Sequence, residues 1–126
     1  MDEDALIVEI GKNIVLDERY QAQDWTAIAL VGDFSGGREA MHGVIYQADG
    51  TWQGEVPEDP EDVILDTMLE LKRVMTEKRQ DTWHQCLIQL NRETEEVKVK
   101  FEYNNPSRWS MTPDNAKALI EEIKPS

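Results

Sequence analysis

The sequence predicts an α+β fold, a single domain spanning residues 1–126, in which three helices cover a mainly antiparallel five-stranded sheet. Apolar residues recur at helical spacing in three segments, and they alternate with polar residues in five others. The connections within each group of strands are too short to hold a crossover helix, so consecutive strands must run antiparallel. The predicted order is therefore α-β-β-β-α-β-β-α, with enough chain for one core.

The first half of the chain contains one predicted helix and three predicted strands. Residues 2–19 have helical spacing, and their apolar side consists of Leu6, Ile7, Ile10 and Ile14. Gly11 weakens the middle of this helix by about 1 kcal/mol relative to alanine, so tertiary packing must hold it. The predicted strands are residues 25–34, 41–48 and 51–56. Asp49-Gly50 predicts a two-residue hairpin turn between the second and third.

Residues 56–79 form the clearest helical pattern, which begins with an acidic stretch that contains two prolines. Asp59 is the predicted N-cap, and Pro60 is the predicted first helical residue, where a missing N–H costs nothing. The predicted buried stripe is Ile64, Met68, Leu71 and Met75, widened by Val63, Leu65 and Val74. The opposite face carries Asp62, Asp66, Glu70, Arg73 and Glu77. One face should build the core, and the other should be free for a partner.

The second half contains two predicted strands and the last predicted helix. Residues 83–91 and 97–103 alternate and are joined by a polar turn, which is typical of a hairpin. Residues 113–123 form the helix, with Thr112 as its predicted N-cap and Pro113 at its first position. The pairing order of the strands across the central helix is left open.

The charge distribution is the strongest functional signal in the sequence. There are 26 acidic and 13 basic residues, a formal charge of -13, which disfavours binding to nucleic acids or anionic membranes. Residues 55–70 hold seven acidic residues and no basic one. Helix-dipole complementation and a solvated helix face are one explanation of this excess, and a docking surface that steers a basic protein into place is the other. The first residues lack a basic segment and a long apolar run, so we expect a cytoplasmic protein.

Eight residues are the candidates for contacting such a partner. Six are the acidic residues around the start of the central helix, and two are tryptophans with polar neighbours, which could anchor an interface. The full set is Glu58, Asp59, Glu61, Asp62, Asp66, Glu70, Trp52 and Trp109.

Motifs for catalysis or ligand binding fail at the level of spacing. The residues tested were Gly32, Gly36 and Gly37 for a phosphate loop, His42 and His84 for a metal, and Ser35, Ser107, Ser110 and Cys86 for a nucleophile. No lysine follows the glycines, no carboxylate stands at ligand spacing from the histidines, and the nucleophile candidates lack a suitable context. We therefore expect a protein that is not an enzyme and holds neither cofactor nor metal. A carboxylate pair in a cleft remains an alternative.

Three short stretches resemble the YezG-like family of bacterial immunity proteins. They are Asp24-Trp25, Thr82-Trp83 and Lys100-Phe101-Glu102-Tyr103-Asn104, each at the start or end of a predicted strand. The resemblance covers the layout of residues 24–105 and transfers no list of toxin-contacting residues. It implies a small cytoplasmic protein that binds and neutralises a cognate secreted toxin, frequently a nuclease, as a stoichiometric inhibitor.

Two further functions stay open beside this expectation. An acidic adaptor or nucleic-acid mimic would use the same charge, although mimicry needs carboxylates spread over an extended surface. A small carboxylate-based enzyme would need a cleft that holds two acids. The sequence is silent on the toxin's identity, on whether its active site or another site is bound, and on the oligomeric state.

Overall fold

The computed structural model describes residues 1–125 and contains one antiparallel five-stranded sheet with four helices. Ser126, the last residue of the predicted domain, lies outside the described residues. The strands are β1 (Ala27–Asp33), β2 (Ala40–Tyr46), β3 (Trp52–Gly54), β4 (Gln85–Asn91) and β5 (Glu96–Glu102). The helices are α1 (Glu3–Leu16), α2 (Glu18–Gln21), α3 (Val63–Arg79) and α4 (Ala116–Ile123). The predicted α+β class and the five-stranded antiparallel sheet are confirmed.

The two groups of strands join through β1, which lies at the centre of the sheet. The spatial order is β3-β2-β1-β4-β5, and β1 pairs with β2 on one side and with β4 on the other. Ile28 faces Ile45 across one pairing and Leu90 across the other. These side chains share a face, so one apolar row runs across the middle of the sheet.

Each face of the sheet has its own apolar core. On one face, α1 and α3 cover Ile28, Leu30, Ile45, Ile88 and Leu90. On the other face, α4 and Trp109 cover Ala29, Val31, Val44, Tyr46 and Leu87. The predicted stripe of α3 is buried as expected, at Ile64, Met68, Leu71 and Met75. Its predicted extension to Val63 is wrong, because that side chain is exposed.

The first predicted helix is interrupted at Asp17. This residue has an extended backbone, with φ −62° and ψ 127°, and its side chain accepts a hydrogen bond from Arg19 N at 3.0 Å. Helix α1 therefore ends before Asp17, and the one-turn helix α2 begins after it. The sequence pattern predicted these two helices as a single one. Within α1, a Cβ at Gly11 would stand 2.9 Å from Val97 Cγ2, so the glycine permits close approach to β5.

Two other boundaries differ from the predictions. The β2–β3 hairpin has a three-residue loop of Ala48, Asp49 and Gly50, closed by Gln47 N donating to Thr51 O at 2.9 Å. Gly50 adopts φ +88°, the conformation that such a loop requires at its last position. The last helix begins at Ala116 with Asn115 as its N-cap, because residues 113–115 form a turn instead of the first helical turn.

None of the helices in residues 1–125 combines the length and the apolar composition needed to cross a bilayer.

Candidate functional site

The segment that leads from β3 into α3, residues 55–62, has an unusual backbone. Asp59, Glu61 and Asp62 have φ values of 44°, 64° and 56°, in the left-handed region that residues other than glycine rarely adopt. Each such residue costs about 1 kcal/mol or more, so the surrounding structure must hold the segment in place.

The residues around α2 supply that restraint. The Asp17 carboxylate, only 6% exposed, accepts hydrogen bonds from Glu58 N at 3.0 Å and from Asp59 N at 2.8 Å. Tyr20 donates its hydroxyl to Glu55 O at 2.9 Å, and burial raises the pKa of this phenol. The start of the segment is thus attached to the end of α1 and to α2 by groups more than thirty residues away in sequence.

Asp59 then caps α3 from outside the helix. Its carboxylate accepts hydrogen bonds from Ile64 N at 2.7 Å and from Leu65 N at 3.1 Å, two of the free amides of the first turn. The capping role predicted for Asp59 is confirmed, but Pro60 is not the first helical residue, because α3 starts at Val63. Asp59 is 7% exposed and its carboxylate already binds these amides, so its burial argues against the contact with a partner, which stays a prediction.

Four predicted partner-binding residues remain exposed around this turn, and we call them the acidic cluster: Glu58, Glu61, Asp62 and Asp66. In residues 1–125, none of the four forms an ion pair with a lysine, arginine or histidine. The positive end of the α3 dipole offsets part of their charge, and Arg19 binds the start of the same segment at Glu55 and at Val56 O. The acidic cluster is therefore a concentrated negative surface whose carboxylates have no ion-pair partner in residues 1–125.

Glu70 belongs to a different arrangement farther along α3. It forms an ion pair with Arg73, which also donates to Glu77 Oε1 at 2.8 Å. The hydrogen bond from Arg73 and its positive charge lower the pKa of Glu70. Its charge is compensated, so the outer face of α3 changes from purely acidic at its start to a mixed ion-pair network in its second half.

A hollow of about 420 Å³ lies beside the acidic cluster, between the end of α1 and the start of α3. Its lining includes Glu18 and Glu58 together with Leu16 and Val63. Both apolar side chains are only partly covered, with exposures of 54% for Leu16 and 42% for Val63. The hollow thus combines apolar walls with carboxylates and has the chemistry to receive a lysine or arginine side chain, whose stem is apolar and whose head is charged.

The two predicted tryptophan anchors do not join this surface. Trp109 is 2% exposed beneath α4, and its backbone N donates to Gln85 Oε1 at 2.8 Å, so its burial argues against the predicted partner contact. Trp52 is 46% exposed and pairs with Tyr46, whose side chain lies on the α4 face of the sheet. Because directly paired residues share a face, Trp52 lies across the sheet from the acidic cluster.

Three side chains of types that often take part in catalysis, Cys86, Glu102 and Asp33, have structural surroundings in this fold. Cys86 is fully buried, and burial raises the pKa of its thiol to about 12. The pKa of Glu102 is lowered to about 2 by hydrogen bonds from Asn105 N, from Arg108 and from Asn104 N. Burial alone would raise the pKa of Asp33, but hydrogen bonds from Ser35 and the charge of Arg38 outweigh it and the pKa is lowered. These carboxyl groups act as charged acceptors that hold loops.

The histidines are likewise not assembled into a metal site. His42 is half-buried, and this desolvation lowers its pKa; in residues 1–125 its Nε2 has no hydrogen-bond partner. Within that same range, no group of three His, Cys, Asp or Glu side chains is placed to hold a metal ion.

Sequence reasoning missed Asp17, whose side chain organises the segment. It contacts residues 41 and 42 positions away, and no local sequence pattern predicts such a pairing.

Comparisons with known proteins do not add an assignment: no protein-family model matches the chain, and no curated protein matches it. The resemblance to YezG-like immunity proteins therefore stays a prediction.

Proposed function

We propose that this protein is an immunity protein, which binds a cognate secreted bacterial toxin and neutralises it as a stoichiometric inhibitor. The acidic cluster is the observation that carries the proposal. Four exposed carboxylates lie near the start of α3 without an ion-pair partner in residues 1–125, and a toxin that acts on nucleic acid needs a basic groove for its substrate. We therefore propose a basic nuclease domain as the partner.

The rigidity of the turn supports this role. The buried carboxylates of Asp17 and Asp59 hold the backbone amides of residues 58–59 and 64–65, within the acidic cluster, so little conformational freedom is lost when a partner binds. Charges held in this way attract an oppositely charged surface over about 8 to 10 Å at physiological salt. They can raise the association rate by about tenfold to a thousandfold, which suits an inhibitor that must act before the toxin does.

The hollow beside the acidic cluster supplies a specific contact. The stem of a lysine or arginine from the toxin would pack on Leu16 and Val63, with its head near Glu18 and Glu58. Basic side chains in desolvated pockets are common centres of binding energy.

The alternatives fit this surface less well. A nucleic-acid mimic needs an extended row of carboxylates, whereas Arg73 interrupts the acidic face of α3 through its ion pairs with Glu70 and Glu77. A carboxylate-based enzyme would need an acid with a raised pKa, whereas the shifts at Asp33 and Glu102 run downward. An acidic adaptor with another basic partner is the remaining alternative, and the experiment below separates it from an immunity protein.

The test is coexpression with the product of the gene immediately upstream. The protein should protect cells from that product, copurify with it, and form a one-to-one complex by calorimetry. No protection and no complex would contradict the immunity function; a complex without protection would favour an adaptor.

A variant set then tests the surface itself. Replacing the acidic cluster by E58Q, E61Q, D62N and D66N should slow association about tenfold or more at low salt and reduce its salt dependence. The matched control makes the same change of charge at four exposed sites elsewhere: D24N, E93Q, D114N and E121Q. Equal effects in the two variants would show that net charge, and not the acidic cluster, drives association.

A further inference from the structure

A second surface lies where α1 passes over the free edge of β5. In residues 1–125, β5 pairs with β4 alone, so its other edge presents unpaired backbone donors and acceptors. This edge extends over seven residues, Glu96–Glu102, whereas β3 at the opposite edge has three. A free edge of this length is a template on which another strand can pair.

An exposed apolar stripe of α1 stands above this edge. Gly11 brings α1 close to Val97, and the neighbouring Val8 and Val15 are 67% and 43% exposed. They line a groove of about 1110 Å³ that also includes Trp25 and Leu90. Nine large apolar side chains are exposed in residues 1–125, and four of them line this groove: Val8, Val15, Leu16 and Val97. Such concentration is typical of an interaction surface.

The lysines of β5 disfavour a second copy of this chain as the occupant. Lys98 and Lys100 are exposed and project from the face opposite α1, because they alternate with Val97 and Val99. Suppose that the β5 strands of two copies paired antiparallel, with residue 98, 99 or 100 at the centre of the pairing. In each of these registers a lysine of one copy would lie opposite a lysine of the other. Like charges directly opposite each other destabilise a pair of strands.

The same lysines favour an acidic strand from another protein. In the described part of the chain, Lys100 forms no ion pair, and neither does Lys12 in the groove. Arg92, whose guanidinium lies 3.9 Å from the centre of the Trp25 ring, adds a further positive charge at the groove. Four basic side chains therefore surround this edge in a protein whose net charge is -13. Acidic side chains are also present: Glu96 pairs with Lys98 at 3.8 Å, and Glu95 lines the groove.

We infer that the β5 edge and the α1 groove form a docking site for an extended segment of another protein in which acidic and apolar residues alternate. Paired antiparallel or parallel to β5, such a segment would place its acidic side chains beside Lys98 and Lys100. Its apolar side chains would lie on the α1 side of the sheet, beside Val97 and the exposed Val8 and Val15 at the mouth of the groove. The groove shares only Leu16 with the hollow near the acidic cluster, so the inference is independent of the proposed function.

The probe is a fluorescent synthetic peptide of about eight residues in which glutamate and valine alternate, long enough to span an edge strand. Its binding should raise the fluorescence anisotropy and protect the amides of residues 97–101 from hydrogen exchange. A lysine–valine peptide should bind at least about tenfold more weakly, because it opposes the lysines of β5. A glutamate–valine peptide with N-methylated amides should also lose binding, because it cannot complete the ladder.

Two variants locate the site. K98E/K100E should weaken peptide binding about tenfold or more, and the matched control K78E/K117E, at exposed lysines outside the groove, should leave it unchanged. V8S/V15S, which alters only exposed side chains, tests the groove and should also weaken binding.

Several results would overturn the inference. They are absence of binding at millimolar peptide, protection of amides outside β5, and equal binding of the N-methylated peptide. A dimer in sedimentation analysis that protects the β5 amides would identify a second copy as the occupant and would equally overturn it.

Discussion

Replacement of Asp59 by alanine separates a structural role for this carboxylate from a role in partner binding. The substitution removes two hydrogen bonds to the first turn of α3, from Ile64 N and Leu65 N. Loss of a helix cap costs about 0.5 to 2 kcal/mol, and an unpaired donor that stays buried costs about 1 to 3 kcal/mol. The Ile64 amide is buried, so we expect the free energy of unfolding to fall by about 2 to 3 kcal/mol.

Urea denaturation followed by tryptophan fluorescence measures this loss. With a denaturant slope of about 2 kcal/mol per molar urea, the midpoint should fall by about 1 to 1.5 M. D59N keeps one acceptor oxygen and should lose about half as much.

Asp62→Ala is the matched control, because Asp62 has the same left-handed backbone but an exposed side chain that caps nothing. Its unfolding free energy should change by less than about 0.5 kcal/mol. If D59A and D62A were equally stable, the capping role of Asp59 would be refuted.

Three further predictions follow from packing and charge. Trp109→Ala should lower the free energy of unfolding by about 3 kcal/mol or more, and Trp52→Ala by less than about 1 kcal/mol, because only the first indole is buried. Gly11→Ala should be nearly neutral alone, but stabilising by about 1 kcal/mol in a Val97→Ala background, where the close contact is gone; denaturation of all four proteins checks this double-mutant cycle. The native pKa of Glu102, about 2, lies below its ordinary value of 4.5, so its stabilising contribution is lost as pH falls between these values. Acid titration of stability should therefore be steeper in the wild type than in Glu102→Gln.

Much of the fold could be predicted because its patterns are local. The spacing of Ile64, Met68, Leu71 and Met75 marks one side of a helix, and all four are buried in the structure. The break at Asp17 was missed, because apolar spacing continues on both sides of it and its cause lies in a segment more than forty residues away.

The candidate site was only partly predictable. An acidic side chain before a helix predicts a cap, and Asp59 is one, but the same composition cannot tell a buried carboxylate from an exposed one. Asp59 and Asp62 are the same residue type three positions apart, yet the first is enclosed and the second faces solvent. For Trp109, polar neighbours in sequence suggested exposure, while α4 covers the indole in space.

The sequence by itself determined the class of the fold, the identity of its strands and long helices, and the concentration of charge near the start of α3. These depend on periodicities and counts that act over a few residues. Only the tertiary structure decided that β1 is central, that Asp17 and Asp59 hold the turn, and that Trp52 and the acidic cluster lie on opposite sides of the sheet. Whether a residue is buried or hydrogen-bonded depends on which element, distant in sequence, packs over it. That contact exists only in the assembled fold.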